Sequence, residues 1–159
     1  MYPGFDEAKL IAVDCVRFFC LSGDEQMTSW RIAKNEFKLP RMLYDESREV
    51  VIGDYMRGVF GVFYTYSWVF HEMDISESVL DIFYDFKGRL DVMSCVGESD
   101  LSSSAILNDV AWDKLRKDAK LFLNELGELP DVNLPIFDIG SLINPDEFRT
   151  SDEVRKLLE

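Results

Sequence analysis

The stretch that decides the predicted fold runs from Gly58 to Val96 and reads GVFGVFYTYSWVFHEMDISESVLDIFYDFKGRLDVMSCV. In its first part, Phe60 to Phe70, the even positions are all large and apolar or aromatic, while the odd positions are mostly small or polar. This two-residue period, in a run rich in aromatic residues, is typical of a β-strand. We therefore expect one bent strand, or two strands, over Phe60 to Phe70.

The second part, Val79 to Val96, is interpreted as a β-hairpin because its apolar residues also alternate. A three-residue loop, Lys87 to Arg89, would pair Phe86 with Leu90 and align the two apolar faces, whereas a two-residue turn would mismatch them. In that loop Gly88 would supply a positive φ.

A helix is the alternative for the same segment. An apolar stripe at helical spacing follows Ser76 and Ser78, either of which can act as the N-terminal cap. We favour the hairpin, and the acidic surface described below depends on it. The residues of the helical stripe are Ile75, Val79, Ile82, Phe83, Phe86 and Leu90.

In the remaining segments the spacing of apolar residues predicts mainly helices. Val16 to Leu21 could instead be a short buried strand, and Val50 to Ile52 is a possible strand. Glu128 to Phe148 holds three of the five prolines among apolar residues, so we expect it to be extended and to lie against the body of the protein. The predicted helices span Asp6 to Leu21, Asp24 to Phe37 and about Ala105 to Leu126, with a short last helix from Ser151. Asp24 can act as the N-terminal cap of the second helix.

The long helix near the C-terminus is the clearest of these. Gly127 is a suitable C-terminal cap, and Asp113 with Lys117 and Lys114 with Asp118 have the spacing of i,i+4 ion pairs. The chain has 159 residues, of which 47% are hydrophobic, enough for one sizeable core. Residues 1–159 are thus predicted to form a single α+β domain with N-terminal helices, a central antiparallel sheet of three to five strands and a long helix on one face.

The charge of the chain narrows its possible partners. The formal net charge is −13, which argues against direct binding to nucleic acid phosphates and favours a basic partner. Three cysteines without a CxxC pair, no basic leader at the N-terminus and no apolar run of about 18 residues lead us to expect a cytoplasmic protein.

No catalytic, cofactor or metal motif is recognisable. His71 is the only histidine, and the segment Gly97 to Leu101 lacks the second glycine of a nucleophile elbow. Gly58 and Gly61 are not followed by the Gly-Lys-Ser/Thr of a phosphate loop. We therefore expect no enzyme, no cofactor and no metal site, and an enzyme built around His71 is a minor alternative.

Two groups of residues are candidates for binding a protein partner. In the hairpin register Asp85 lies opposite Asp91, with Asp81 further along the same outward face. A solvated acidic face, or an acidic face neutralised by Lys87 and Arg89, is the ordinary interpretation, and a hard-cation site is a further alternative, although the Asp spacing matches no calcium loop. A surface that meets a basic partner is the functional one.

The second group is aromatic. Tyr64, Tyr66 and Trp68 are core residues in the ordinary interpretation, but on an open sheet they would supply interface anchors. The two groups are expected on opposite sides of the sheet.

In size, acidity, α+β pattern and absence of catalytic motifs, the chain resembles the small immunity proteins with which bacteria neutralise their own polymorphic or contact-dependent toxins. The resemblance implies a cytoplasmic inhibitor that binds one toxin domain, often a basic nuclease, by charge complementarity. It assigns no role to an individual residue. Alternatives are a secretion-type chaperone, which would be a dimer, and a phage-encoded inhibitor whose carboxylates imitate nucleic acid.

Overall fold

The computed structural model describes residues 4–37, 52–95, 101–128 and 133–139, and positions 142, 153 and 156. Over these ranges the chain forms helices and no strand, so the predicted α+β fold with a central antiparallel sheet is wrong. The helices are α1 (Phe5–Cys20), α2 (Gly23–Glu36), α3 (Ile52–Tyr66), α4 (Val69–Glu72), α5 (Glu77–Ser94), α6 (Ser103–Asn108) and α7 (Val110–Glu125).

The strand predicted over residues 60–70 is instead the second half of α3 followed by α4. Helix α3 packs against α1, α2 and α5, so it is buried on several sides and its sequence shows no narrow apolar stripe. The exposed residues of α3, together with Trp68 in the turn that follows, do recur at three- and four-residue intervals, as on one side of a helix: they are Gly61, Tyr64, Thr65 and Trp68. The alternation of large and small residues was therefore coincidental.

The predicted hairpin is also wrong, because residues 77–94 form the single helix α5. Ser76 is its N-terminal cap, with the side-chain oxygen accepting a hydrogen bond from the backbone N–H of Val79 at 3.4 Å. Gly88 lies within the helix, and the one positive-φ glycine among the described residues is Gly127. The helical alternative is thus the correct one, and its buried side includes Phe83, Phe86, Leu90 and Met93.

The N-terminal helices are confirmed, with a different cap for the second. Helix α1 lies against α3, α4 and α7, which excludes a buried strand in its second half. Helix α2 is capped by Ser22, not by Asp24. The Ser22 side chain accepts from the N–H of Glu25, whose carboxylate accepts from the N–H of Ser22 in return, which is a capping box.

The long helix predicted over residues 105–126 is interrupted at Asp109, which separates α6 from α7. Its apolar stripe is buried at Trp112, Leu115, Ala119 and Phe122, and Gly127 ends the helix with a φ of 75°. The predicted i,i+4 ion pairs are not the ones that form. The pairs observed join Asp113 to Arg116 and Asp118 to Arg89 of α5.

The segment after α7 lies against the body of the protein as predicted, but it is not extended throughout, because Ile139 and Leu142 are helical. Residues 133–138 contain no helix, and the side chains of Ile136, Phe137 and Ile139 are buried against the helices. The Phe137 ring packs edge-on against Phe18 of α1, and Ile139 lies against Gly58 of α3. This segment therefore forms part of the core. The possible strand Val50 to Ile52 is wrong at Ile52, which is the first residue of α3, and positions 50 and 51 lie outside the described residues. Of the predicted last helix, Glu153 and Lys156 are helical, and position 151 lies outside the described residues.

One aromatic cluster joins the helices. Phe19 of α1 stacks on Phe60 of α3, with ring centroids 5.6 Å apart, and Phe60 stacks in turn on Trp112 of α7. The ring centroids of Phe83 in α5 and Phe122 in α7 are 5.2 Å apart. In the part of the chain that is described, none of the helices has both the length and the apolar character needed to cross a membrane.

Candidate protein-binding surface

Three aromatic side chains, on α3, at the residue before α4 and on α5, project toward solvent. Tyr64, Trp68 and Tyr84 are 37%, 43% and 52% exposed, although most large aromatic residues of the chain are in the core. Tyr66, which the sequence grouped with Tyr64 and Trp68, is buried, and its hydroxyl donates to the carbonyl oxygen of Leu142 at 2.9 Å. Tyr66 therefore holds the C-terminal segment and is not part of the exposed surface.

A polar cluster connects α3 with α5 beside these aromatic rings. The hydroxyl of Tyr64 donates a hydrogen bond to the carboxylate of Asp91. Lys87 Nζ lies 3.3 Å from Asp91 Oδ2 and 5.7 Å from the centroid of the Tyr64 ring. Partial burial and the hydrogen bond to Asp91 raise the pKa of Tyr64 to about 12, so its hydroxyl remains a donor at neutral pH.

Asp81 and Asp85 lie on the outer side of α5. The predicted pairing of Asp85 with Asp91 across a hairpin is wrong, because on a helix Asp91 turns toward α3 while Asp85 stays outward. Glu77, Asp81 and Asp85 follow one another at i,i+4 spacing and are all exposed. Within the described residues none of the three takes part in an ion pair. Like charges at this spacing destabilise a helix by about 0.2–0.5 kcal/mol per pair.

His71 lies at the border between α4 and α5. It is exposed, and its ring contacts Phe83 edge-on at 5.6 Å and Tyr84 at 6.0 Å between centroids. It thus extends the aromatic surface of Tyr84 toward α4. Among the described residues, no three His, Cys, Asp or Glu side chains come together in a group that could hold a metal ion.

Members of the two groups that the sequence placed on opposite sides of a sheet are therefore neighbours, because Tyr64 contacts Asp91, whereas Tyr66 is buried. The sequence interpretation missed Tyr84, which alternated into the apolar side of the predicted hairpin. A helical projection of α5 places it outward. We call this surface the α3–α5 face and define it by Gly61, Tyr64, Trp68, His71, Asp81, Tyr84, Asp85, Gly88 and Asp91.

Comparison with family models, with curated proteins and with solved structures found no match to this chain. The function of the α3–α5 face has to be inferred from its own chemistry. It offers aromatic rings, which can be buried by a partner, and carboxylates, which can accept hydrogen bonds from lysine or arginine side chains. This chemistry suits binding to a protein.

Proposed function

We propose that this protein is a binding inhibitor of the immunity type, which neutralises a toxin domain by covering it with the α3–α5 face. The observation that carries the proposal is the combination, on neighbouring helices, of exposed aromatic rings with carboxylates that form no ion pair within the described residues. Tyr64, Trp68 and Tyr84 supply the rings, and Asp81 and Asp85 supply the charge. Most other aromatic residues of the described ranges belong to the core, whereas Phe5 of α1 is exposed and contacts the Trp68 ring edge-on.

The two kinds of residue have different roles in such a complex. Exposed carboxylates attract a basic partner over a distance and increase the association rate, an effect that salt screens. Aromatic side chains at the centre of an interface supply most of the binding free energy and slow dissociation. Asp81 and Asp85 are therefore proposed to govern association, and Tyr64, Trp68 and Tyr84 to govern dissociation.

The test begins with capture of the partner by the tagged protein in the organism from which the chain comes, followed by mass spectrometry. The purified partner is then used to measure association rates at low and high salt. The variant Asp81→Lys with Asp85→Lys is expected to reduce the association rate at low salt on the order of tenfold, and much less at high salt.

A matched control changes the same amount of charge elsewhere. Asp24→Lys with Glu36→Lys alters two exposed residues of α2, a helix that packs against α3 and α6. The proposal predicts a much smaller effect for this control. Failure to capture any basic protein contradicts the proposal, and so does an equal slowing by both variants, because net charge alone would then explain the rate. A dimer that holds an extended client would indicate the chaperone alternative.

A further inference from the structure

Two glycines of the α3–α5 face have no structural reason within the described part of the chain to be glycine. Gly61 lies in α3 and Gly88 in α5, and a Cβ atom added to either would meet no heavy atom within 4 Å. Neither has a positive φ. Glycine in the middle of a helix is destabilising relative to alanine, so these two positions lower the stability of their own helices.

Two other glycines of the chain, in contrast, are required by the packing of neighbouring segments. A Cβ at Gly58 would come within 2.9 Å of the Ile139 side chain, and one at Gly23 within 3.0 Å of the Ile106 carbonyl oxygen. Both glycines therefore permit close packing between segments. At Gly61 and Gly88 the corresponding space is open to solvent, where another molecule can occupy it.

The two open glycines flank the cluster formed by Tyr64, Lys87 and Asp91. Gly61 precedes Tyr64 by one helical turn, and Gly88 precedes Asp91 by three residues. Helices α3 and α5 lie side by side here, since the Phe63 ring of α3 contacts the Phe86 ring of α5 and the Tyr64 hydroxyl contacts Asp91. Because glycine has no side chain, the backbone of both helices is accessible at these two positions. Exposed aromatic rings border this accessible backbone.

The negative charge around the α3–α5 face indicates which kind of partner segment it can bind. Residues 69–95 contain six acidic and two basic residues. Both basic residues are already paired, Lys87 with Asp91 and Arg89 with Asp118. A segment that lies across the outer side of α5 thus meets uncompensated negative charge from Asp81 and Asp85, which favours lysine and arginine side chains.

We infer that a lysine- or arginine-bearing segment of the partner protein lies across the α3–α5 face with its backbone in close contact at Gly61 and Gly88, a proposal that rests on the proposed function above. Glycine at these positions lets the partner approach nearer than any side chain would allow. The rings of Tyr64 and Tyr84 then cover its apolar stems.

The experiment measures stability and binding on the same variants. Gly61→Ala with Gly88→Ala is expected to raise the Tm by about 3–6 °C, because alanine favours the helix and meets no neighbour. The same variant is expected to weaken binding to the captured partner by at least about tenfold. Gly61→Gln with Gly88→Gln is expected to weaken it further. Asn124→Ala, an exposed position of α7, is the control for a change in helix propensity and is expected to leave binding unchanged.

Each outcome has a distinct meaning. A raised Tm with unchanged binding of the glycine variants overturns the inference and leaves the proposed function standing. A lowered Tm also overturns it, since the glycines would then have an internal role. If the wild-type protein captures no basic protein, the proposed function fails and the inference fails with it.

Discussion

Replacing Tyr55 by phenylalanine tests how the C-terminal segment is held. The side chains of Tyr55 and Ser29 are fully buried, and their oxygens lie 2.8 Å apart. Ser29 donates its single hydroxyl proton to the carbonyl oxygen of Pro135 at 2.7 Å, so Tyr55 must donate to Ser29. The Tyr55 oxygen in turn accepts from the N–H of Phe137 at 3.0 Å. One hydroxyl thus joins α2, α3 and the segment 133–139.

The expected effect of Tyr55→Phe follows from these contacts. The variant leaves the buried N–H of Phe137 without an acceptor, which costs about 1–3 kcal/mol, and removes one further hydrogen bond, worth about 0.5–1.5 kcal/mol. The free energy of unfolding is therefore expected to fall by about 2–4 kcal/mol. For a chain of this size, that corresponds to a Tm lower by about 5–12 °C.

Thermal and urea unfolding, followed by circular dichroism at neutral pH, measure this change. Tyr64→Phe in the same helix is the control, because it removes an exposed hydrogen bond to Asp91 and is expected to cost less than about 1 kcal/mol. A Tyr55→Phe protein with the wild-type Tm would refute the assignment of these buried hydrogen bonds. A Tyr64→Phe protein that loses as much stability as Tyr55→Phe would refute it too.

Two further predictions concern the end of α7 and the response to alkali. Gly127→Ala is expected to lower the free energy of unfolding by about 1 kcal/mol in urea unfolding, since Gly127 has a φ of 75°; an unchanged value would contradict the left-handed cap. Burial raises the pKa of Cys20 from 9.0 to about 12, partly opposed by Lys120 and Arg17, so the folded protein keeps a proton that the unfolded chain loses above pH 9. Between pH 9 and 10 the free energy of unfolding is expected to fall by about 1 kcal/mol more in the wild type than in Cys20→Ala, and equal slopes would contradict this.

The helices that the sequence predicted correctly are those with local signals at their ends. Helices α1 and α2 and the end of α7 have caps or breaking residues within a few positions, and Gly127 is such a residue. These signals depend on short-range hydrogen bonds and on backbone conformation, which a single sequence displays directly. Asp109 interrupts the last helix where the apolar stripe continues, so the interruption was missed.

Helices α3 and α5 were misassigned for different physical reasons. Helix α3 is enclosed by other elements, so its burial leaves little periodicity to distinguish a helix from a strand. Helix α5 does carry a helical stripe, and its cap at Ser76 was noted, but the alternating residues Leu80, Ile82, Tyr84 and Phe86 matched a strand equally well. Its packing against Phe122 of α7, more than thirty residues away, decides between them.

The sequence predicted several residues of the candidate surface, but it did not predict how they are arranged. Tyr64, Trp68, Asp81 and Asp85 were named from residue type, and each of them is exposed. Their arrangement depends on the contact of Tyr64 with Asp91 across two helices, which is a tertiary contact that local patterns do not encode. The burial of Tyr66 has the same origin, because its partner Leu142 belongs to the C-terminal segment.

The claim that one face of α3 and α5 binds a basic protein is tested most directly by mapping the interface residue by residue. Amide chemical shifts of the isotope-labelled protein would be followed during titration with the purified partner. The largest changes are expected within residues 61–68 and 81–92, with little change in α2. Changes concentrated in α2 or on the outer side of α7, with the amides of α3 and α5 unaffected, would contradict the claim.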